Sequence, residues 1–193
     1  MRKRGLVSRT LREPLIKIKT TIIKLLKKTS LGIVVFTKTS KALTRMNALF
    51  LNKKISKTYW AVVKNKPLKS KDTLVHWLKK NSKNNKSKAY IKEVDQSKKA
   101  ILHYELIHSL NRYHLLEVNL ETGRHHQIRS QLSTIGSPIK GDLKYGFDRS
   151  NTDGSIHLHA RNISFTHPVN DQLITISAPP PNEVLWKECI NHV

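Results

Sequence analysis

Residues 121–146 read ETGRHHQIRSQLSTIGSPIKGDLKYG. Gly123 permits a tight turn ahead of a helix and puts Arg124 at the helix N-terminus, where free backbone N–H groups favour anions. Arg124, His125, Gln127 and Arg129 crowd cationic and polar groups into a short helical stretch. Ile128, Leu132 and Ile135 recur at i, i+4 and i+7, which defines a buried face, and Gly136 supplies a C-terminal cap. A surface helix seldom carries two arginines, two histidines and a glutamine together unless they meet a phosphate or a base. The following GSPIKGDLKYG adds closely spaced turn residues with Lys140 and Lys144, which predicts a rigid shelf beside the helix.

Working outward, AILHYELIHSL (100–110) and YHLLEVNL (113–120) have strand composition, and Asn111-Arg112 stands where a tight hairpin turn belongs. GIVVF (32–36) reads as a short buried strand. TSKALTRMNALFLNKK (39–54) reads as a helix capped by Thr39 or Ser40, with Leu43, Met46, Leu49 and Phe50 at helical spacing. SKTYWAVV (56–63) is a strand ended by Pro67. KKNSKNNKSK (79–88) is nearly low complexity and fits either a solvated loop or a phosphate-contacting arm. SIHLHARNISF (155–165) and QLITISAP (172–179) are strands, and PNEVLWKECI (181–190) is a closing helix. Strands and helices in this order, with several hairpin-length links, predict an α+β fold: a mixed, largely antiparallel sheet flanked by helices.

A chain of 193 residues suits one domain with a real core. Its 36 Lys+Arg against 13 Asp+Glu give a formal net charge of +23. Such self-repulsion is usually tolerated for a polyanionic partner, nucleic acid first and an anionic membrane surface second. Lysine-rich composition can also reflect genome base bias. The single Cys189 cannot form an internal disulfide, which points to a reducing compartment and a cytoplasmic location. No apolar run is long enough to span a bilayer. Residues 1–28 carry ten Lys/Arg and one acid, Glu13, with LIKIKTTII (15–23) alternating only briefly; they form a basic segment apart from a domain over 29–193. That composition also fits an organelle-targeting segment.

The sequence T-G-R-x-H-Q-I-R followed by I-G-x-P-I-x-G-D-x-x-Y-G closely resembles the conserved block of the RluA-type pseudouridine synthases. TSKALTRMNALF (39–50), KTYWAVV (57–63), LHARNISFTHPV (158–169) and TISAPPP (175–181) extend the resemblance over roughly residues 29 to 190. It implies isomerisation of uridine to pseudouridine in structured RNA (rRNA or tRNA), with no metal or organic cofactor, by a monomer that needs no membrane. The family's chemistry centres on an aspartate nucleophile, with the target nucleotide flipped into a pocket. The resemblance puts the arginine that keeps the aspartate ionised on Arg129. It puts the tyrosine that packs on the flipped base on Tyr59. Lys57, Arg124, His125, Gln127, Lys140 and Lys144 are the expected RNA contacts. Without its neighbours, Tyr59 would read as an ordinary strand aromatic.

The aspartate itself is not found. The family carries it in H-R-L-D-x-x-T-S-G ahead of the apolar strand; here the corresponding turn reads TSLG. Anchoring on Thr29-Ser30 places the aspartate on Leu26, and anchoring on Gly32 places it on Lys27. A neutral or cationic residue there would leave Arg129 without its counter-ion, a costly state for a buried charge. Either residues 1–28 do not represent the functional family sequence, or the chain is a paralogue that binds RNA without catalysis. A metal site is not expected: His125 and His126 diverge on a helix, and His157 and His159 lack a third ligand.

Overall fold

The computed structural model describes residues 16–20, as backbone, and 31–191. Its strands are β1 (Ile16–Thr20), β2 (Leu31–Thr37), β3 (Ile55–Val63), β4 (Lys71–Asn81), β5 (Lys86–Tyr90), β6 (Lys98–Ser109), β7 (His114–Leu120), β8 (Leu158–Thr166) and β9 (Leu173–Ser177). Its helices are α1 (Ser40–Leu51), α2 (Gln127–Thr134) and α3 (Val184–Ile190). The strands make one sheet in the order β1-β2-β8-β3-β7-β6-β4-β5, with β9 paired to β8. Among the described strands only β2 and β8 run parallel, so the sheet is mixed and largely antiparallel.

The β2–β8 join depends on Gly32, which pairs with Ala160 at φ +108°. A Cβ there would lie 2.3 Å from the Ala160 carbonyl oxygen, so no other residue lets the two backbones approach.

Strand β3 distributes the core. Side chains alternate along a strand, so Ile55, Lys57, Tyr59, Ala61 and Val63 share one face while Trp60 and Val62 share the other. Ala61 and Val63 join Leu102, Leu116, Val118, Ile128 and Leu132 beneath α2. Ile55 joins Met46, Ile163 and Phe165 beneath α1. Trp60 and Val62 pack with Leu115, Trp186 and Cys189 against α3 on the opposite side. Lys57 and Tyr59 thus lie on the face covered by α1 and α2, at the point along β3 between the two helices.

Helix α1 starts where the sequence indicates: the Thr39 hydroxyl accepts a hydrogen bond from the Ala42 N–H at 3.1 Å. Its stripe is narrower than the sequence suggests. Met46 is buried, but Leu43 and Phe50 are 51% and 43% exposed. β2 is likewise only half buried, with Phe36 exposed, rather than a core strand. KKNSKNNKSK is not a loop: it forms the end of β4, a turn and the start of β5, with Lys79 opposite Lys88 and Asn81 opposite Lys86. β1 falls within 15–23 and runs antiparallel to β2, so part of the basic segment joins the sheet. Leu26 and Lys27, the two positions aligned with the family aspartate, lie outside the described residues.

Candidate active site

Helix α2 begins two residues later than an N-terminal Arg124 would require. His126 stands at its N-cap in the left-handed region (φ 51°), and Arg124 lies in the turn before it, donating through Nε to the Lys99 carbonyl at 3.0 Å. Gly136 (φ +80°) closes the helix, as its position in the sequence indicates.

The turn is tied down by Gln127. Its Oε1 accepts from the Arg124 N–H (2.9 Å) and the Thr122 hydroxyl (2.8 Å), and its Nε2 donates to the Ile101 carbonyl (3.0 Å). Its side chain is buried and both ends are paired within the protein, so it braces the turn.

Arg129 is buried at 6% exposure and has a counter-ion. Asp142, 1% exposed, accepts from its Nε at 2.7 Å and its Nη2 at 2.6 Å, a two-pronged pairing. The expectation of an arginine lacking a partner is therefore corrected. The carboxylate arrives from the shelf that follows α2, which is hooked to β3 by hydrogen bonds from Lys64 N–H to the Pro138 carbonyl and from Lys140 N–H to the Val62 carbonyl. Gly141 makes the turn into Asp142 at φ +85°, where a Cβ would lie 2.7 Å from the Ser155 carbonyl oxygen.

The third side of the guanidinium fixes a histidine. Arg129 Nη1 lies 3.1 Å from His126 Nε2, and an arginine can only donate. Nε2 therefore accepts, the ring proton sits on Nδ1, and Nδ1–H donates to the Tyr145 hydroxyl at 3.0 Å. That hydroxyl also accepts from the Ser87 N–H at 2.8 Å. Burial first, then the Arg129 charge, pushes the His126 pKa down to about 4, which keeps the ring neutral as this chain of bonds demands. The Arg129 guanidinium stacks over the Tyr145 ring at 4.7 Å.

His126, Asp142 and Tyr145 are thus partners that reading along the sequence leaves unassigned. All three occupy fixed letters of the motif, namely the H of H-Q-I-R, the D of G-D and the Y of Y-G. His125 occupies the variable position; its Nδ1 lies 2.9 Å from the Ser87 hydroxyl and its ring stacks on His126.

Between α2 and β3 lies a cavity of about 320 Å³ lined by Lys57, Tyr59, Arg124, His126 and Arg129, among others. A second, more apolar hollow of about 370 Å³ beneath α1 shares Lys57 and Tyr59 with it. Lys57 has no carboxylate partner among the described residues; its ammonium lies 5.2 Å from the Phe50 ring centre, and burial lowers its pKa. Burial raises the Tyr59 pKa, so its hydroxyl stays protonated, and no protein partner engages it among the described residues.

The structure brings Lys57, Tyr59, Arg124, Gln127 and Arg129 to one cavity. It does not bring Lys140, whose ammonium donates to Asn151 on the far side of the shelf, or Lys144, which binds the Asn84 and Asn85 carbonyls of the β4–β5 turn. No carboxylate lines the cavity among the described residues. Nor do three His, Cys, Asp or Glu side chains converge anywhere among them.

The family described as RNA pseudouridylate synthase matches residues 6–134. An uncharacterized RNA pseudouridine synthase of Synechocystis is 30% identical over 163 residues, 83% of this chain and 50% of that protein. The ribosomal large subunit pseudouridine synthase D of Zymomonas mobilis is 30% identical over 171 residues, 84% of this chain and 53% of that protein. The chain therefore spans about half the length of the curated relatives it matches. Among solved structures, human RNA pseudouridylate synthase domain containing 4 shares the fold, with a TM-score of 0.68 at 19% identity, over 84% of this chain and 72% of that one. With the motif's fixed residues joined in one buried network and the family match covering most of the chain, this protein belongs to the RNA pseudouridylate synthase family, an isomerase family.

Proposed function

We propose that this chain takes up a uridine flipped out of structured RNA, rRNA or tRNA, in the cavity between α2 and β3, and holds it without efficient isomerisation. The single observation that carries this reading is the lining of that cavity: cations and an aromatic ring, and among the described residues no carboxylate. Its volume is at the small end for a ligand cleft, suited to one nucleoside unit. Tyr59 offers a ring face for the uracil, and its free hydroxyl offers a donor for a carbonyl oxygen. Lys57 and Arg124 supply positive charge for the phosphates on either side of the flipped nucleotide.

Isomerisation breaks the N1–C1′ bond and makes a C5–C1′ bond, with the C5 proton lost to water and a proton gained at N1. A nucleophilic carboxylate divides that change into two easier steps. Asp142 is poorly suited to the role: both its oxygens are held by Arg129, and it does not line the cavity. Arg129 accordingly serves as part of the scaffold that orients His126 and the cavity wall.

The test is tritium release from RNA labelled with [5-³H]uridine, run beside a filter-binding measurement on the same RNA. The expected result is binding with no release above the protein-free control. Release through several turnovers overturns the non-catalytic half of the reading; absence of binding overturns all of it.

A further inference from the structure

A groove of about 650 Å³ lies on the other side of Tyr145 from the cavity, between the β4–β5 hairpin and α2. It is lined by Lys79, Lys80, Lys86 and Lys88, by hydroxyls of α2 including Ser130 and Ser133, and by Tyr145; no carboxylate contributes to the lining. Near it, Asp95 reaches Lys79 only at 3.9 Å and is itself 82% exposed, a weak partner. Lys80 stands opposite Ser87 on the side of the hairpin that faces α2, while Lys79 and Lys88 stand opposite each other on its other side, a like-charge pair that is destabilising unless an anion lies between the two ammonium groups; the lysines thus ring the edge of the hairpin. The lysines also meet aromatic rings, Lys86 over Tyr145 at 5.3 Å and Lys88 over Tyr90 at 5.1 Å.

The groove and the cavity share a wall two side chains thick. The Tyr145 ring lines the groove, while its hydroxyl is bonded to His126, which lines the cavity. The positive charges of Lys80 and Lys144 reach far enough to help lower the pKa of His125 and His126.

We propose that this groove is a second RNA site, one that grips the phosphodiester backbone flanking the nucleotide held in the cavity. The inference rests on the RNA reading given above and adds a surface that reading does not need. Its chemistry is that of a backbone track: four ammonium groups for phosphates and no group arranged to read a base edge.

The test uses the full chain with a fluorescein-labelled single-stranded RNA, its affinity followed by anisotropy across a salt series. The groove variant is K79Q/K80Q/K86Q/K88Q, and the control is K41Q/K53Q/K54Q/K187Q, which removes the same charge from residues that line neither groove nor cavity. The groove variant is expected to bind roughly tenfold more weakly or worse at about 100 mM salt, and its log–log salt slope to flatten by roughly 2 to 3, about 0.7 for each phosphate that is no longer neutralised. The control is expected to stay within about threefold of the unaltered chain. Circular dichroism melting should show the groove variant folded, with a midpoint no lower than that of the unaltered chain, because a like-charge pair is gone. Equal losses in the two variants overturn the groove while leaving the cavity reading intact. No RNA affinity in the unaltered chain overturns both. Flotation with phosphatidylglycerol vesicles that depends on the four lysines, with RNA affinity unchanged, also overturns the groove and assigns it to a lipid surface.

Discussion

The two walls of the cavity are built on opposite plans. On the α2 wall the buried polar groups beside the cavity are spent on one another: Asp142 holds two edges of Arg129, Arg129 donates to His126, His126 donates to Tyr145, and the Ser87 N–H donates to the same hydroxyl. On the β3 wall, Lys57 and Tyr59 carry an ammonium and a hydroxyl with no hydrogen-bond partner among the described residues, the ammonium meeting only the Phe50 ring. A buried network that is complete contributes rigidity and shape; groups left unspent at a cavity surface are the ones available to a ligand. On the proposed reading Arg129 and Tyr59 divide the labour, one as scaffold and one as receptor.

That division predicts different losses for substitutions on the two walls. The largest should follow Asp142→Ala, which leaves a buried guanidinium unpaired and should cost about 3–5 kcal/mol in urea unfolding. The double variant R129M/D142L should recover much of it, because a buried ion pair is often replaceable by apolar groups of similar volume. Next comes His126→Leu, which strips Arg129 Nη1 and the Tyr145 hydroxyl of a partner each and should cost about 1–3 kcal/mol. On the β3 wall, Lys57→Met should move stability by no more than about 0.5 kcal/mol, yet weaken RNA binding several-fold. A large loss of stability with Lys57→Met, or none with Asp142→Ala, would erase the contrast between the walls.

Acid gives the most graded effect. His126 and His157 are both pushed down to about 4, in each case mainly by burial, from an unfolded value near 6.5. Between those values the unfolded chain binds protons that the folded chain refuses, so stability must fall as pH drops from about 6.5 towards 4. Melting midpoints measured across that window should decline. The decline should be shallower in His157→Gln, which removes one of the two groups.

Much of this architecture is legible in the sequence because it follows local rules. The Thr39 cap, the Ile128–Leu132–Ile135 face, the Gly136 stop and the Asn111-Arg112 hairpin turn each declare themselves within a few residues. What escapes local reading depends on distant partners. Lys, Asn and Ser have poor strand propensity, so residues 79–88 look like a loop; they become strands because β4 is held in register by β6 over Lys71–Leu78 and carries β5 with it. Leu43 and Phe50 fit a helical stripe, but the sheet beneath α1 covers only the arc around Met46. Asp142 is thirteen residues from Arg129 and reaches it only through the Gly141 turn and the hooks to β3. Lys140 and Lys144, expected at the RNA from their nearness in sequence, are carried by that same turn to other partners. The motif nevertheless held the right residues: its fixed letters, read as mutual contacts rather than as separate ligands, spell out the network.

The most direct measurement is photocrosslinking of the full chain to an rRNA or tRNA transcript carrying 4-thiouridine, followed by mapping of the linked peptides. A uridine seated against the β3 wall should crosslink to the segment holding Lys57 and Tyr59, and Tyr59→Ala should abolish that crosslink while the protein remains folded. Crosslinks confined to other surfaces, with the β3 segment unlabelled and Tyr59→Ala without effect, would contradict it.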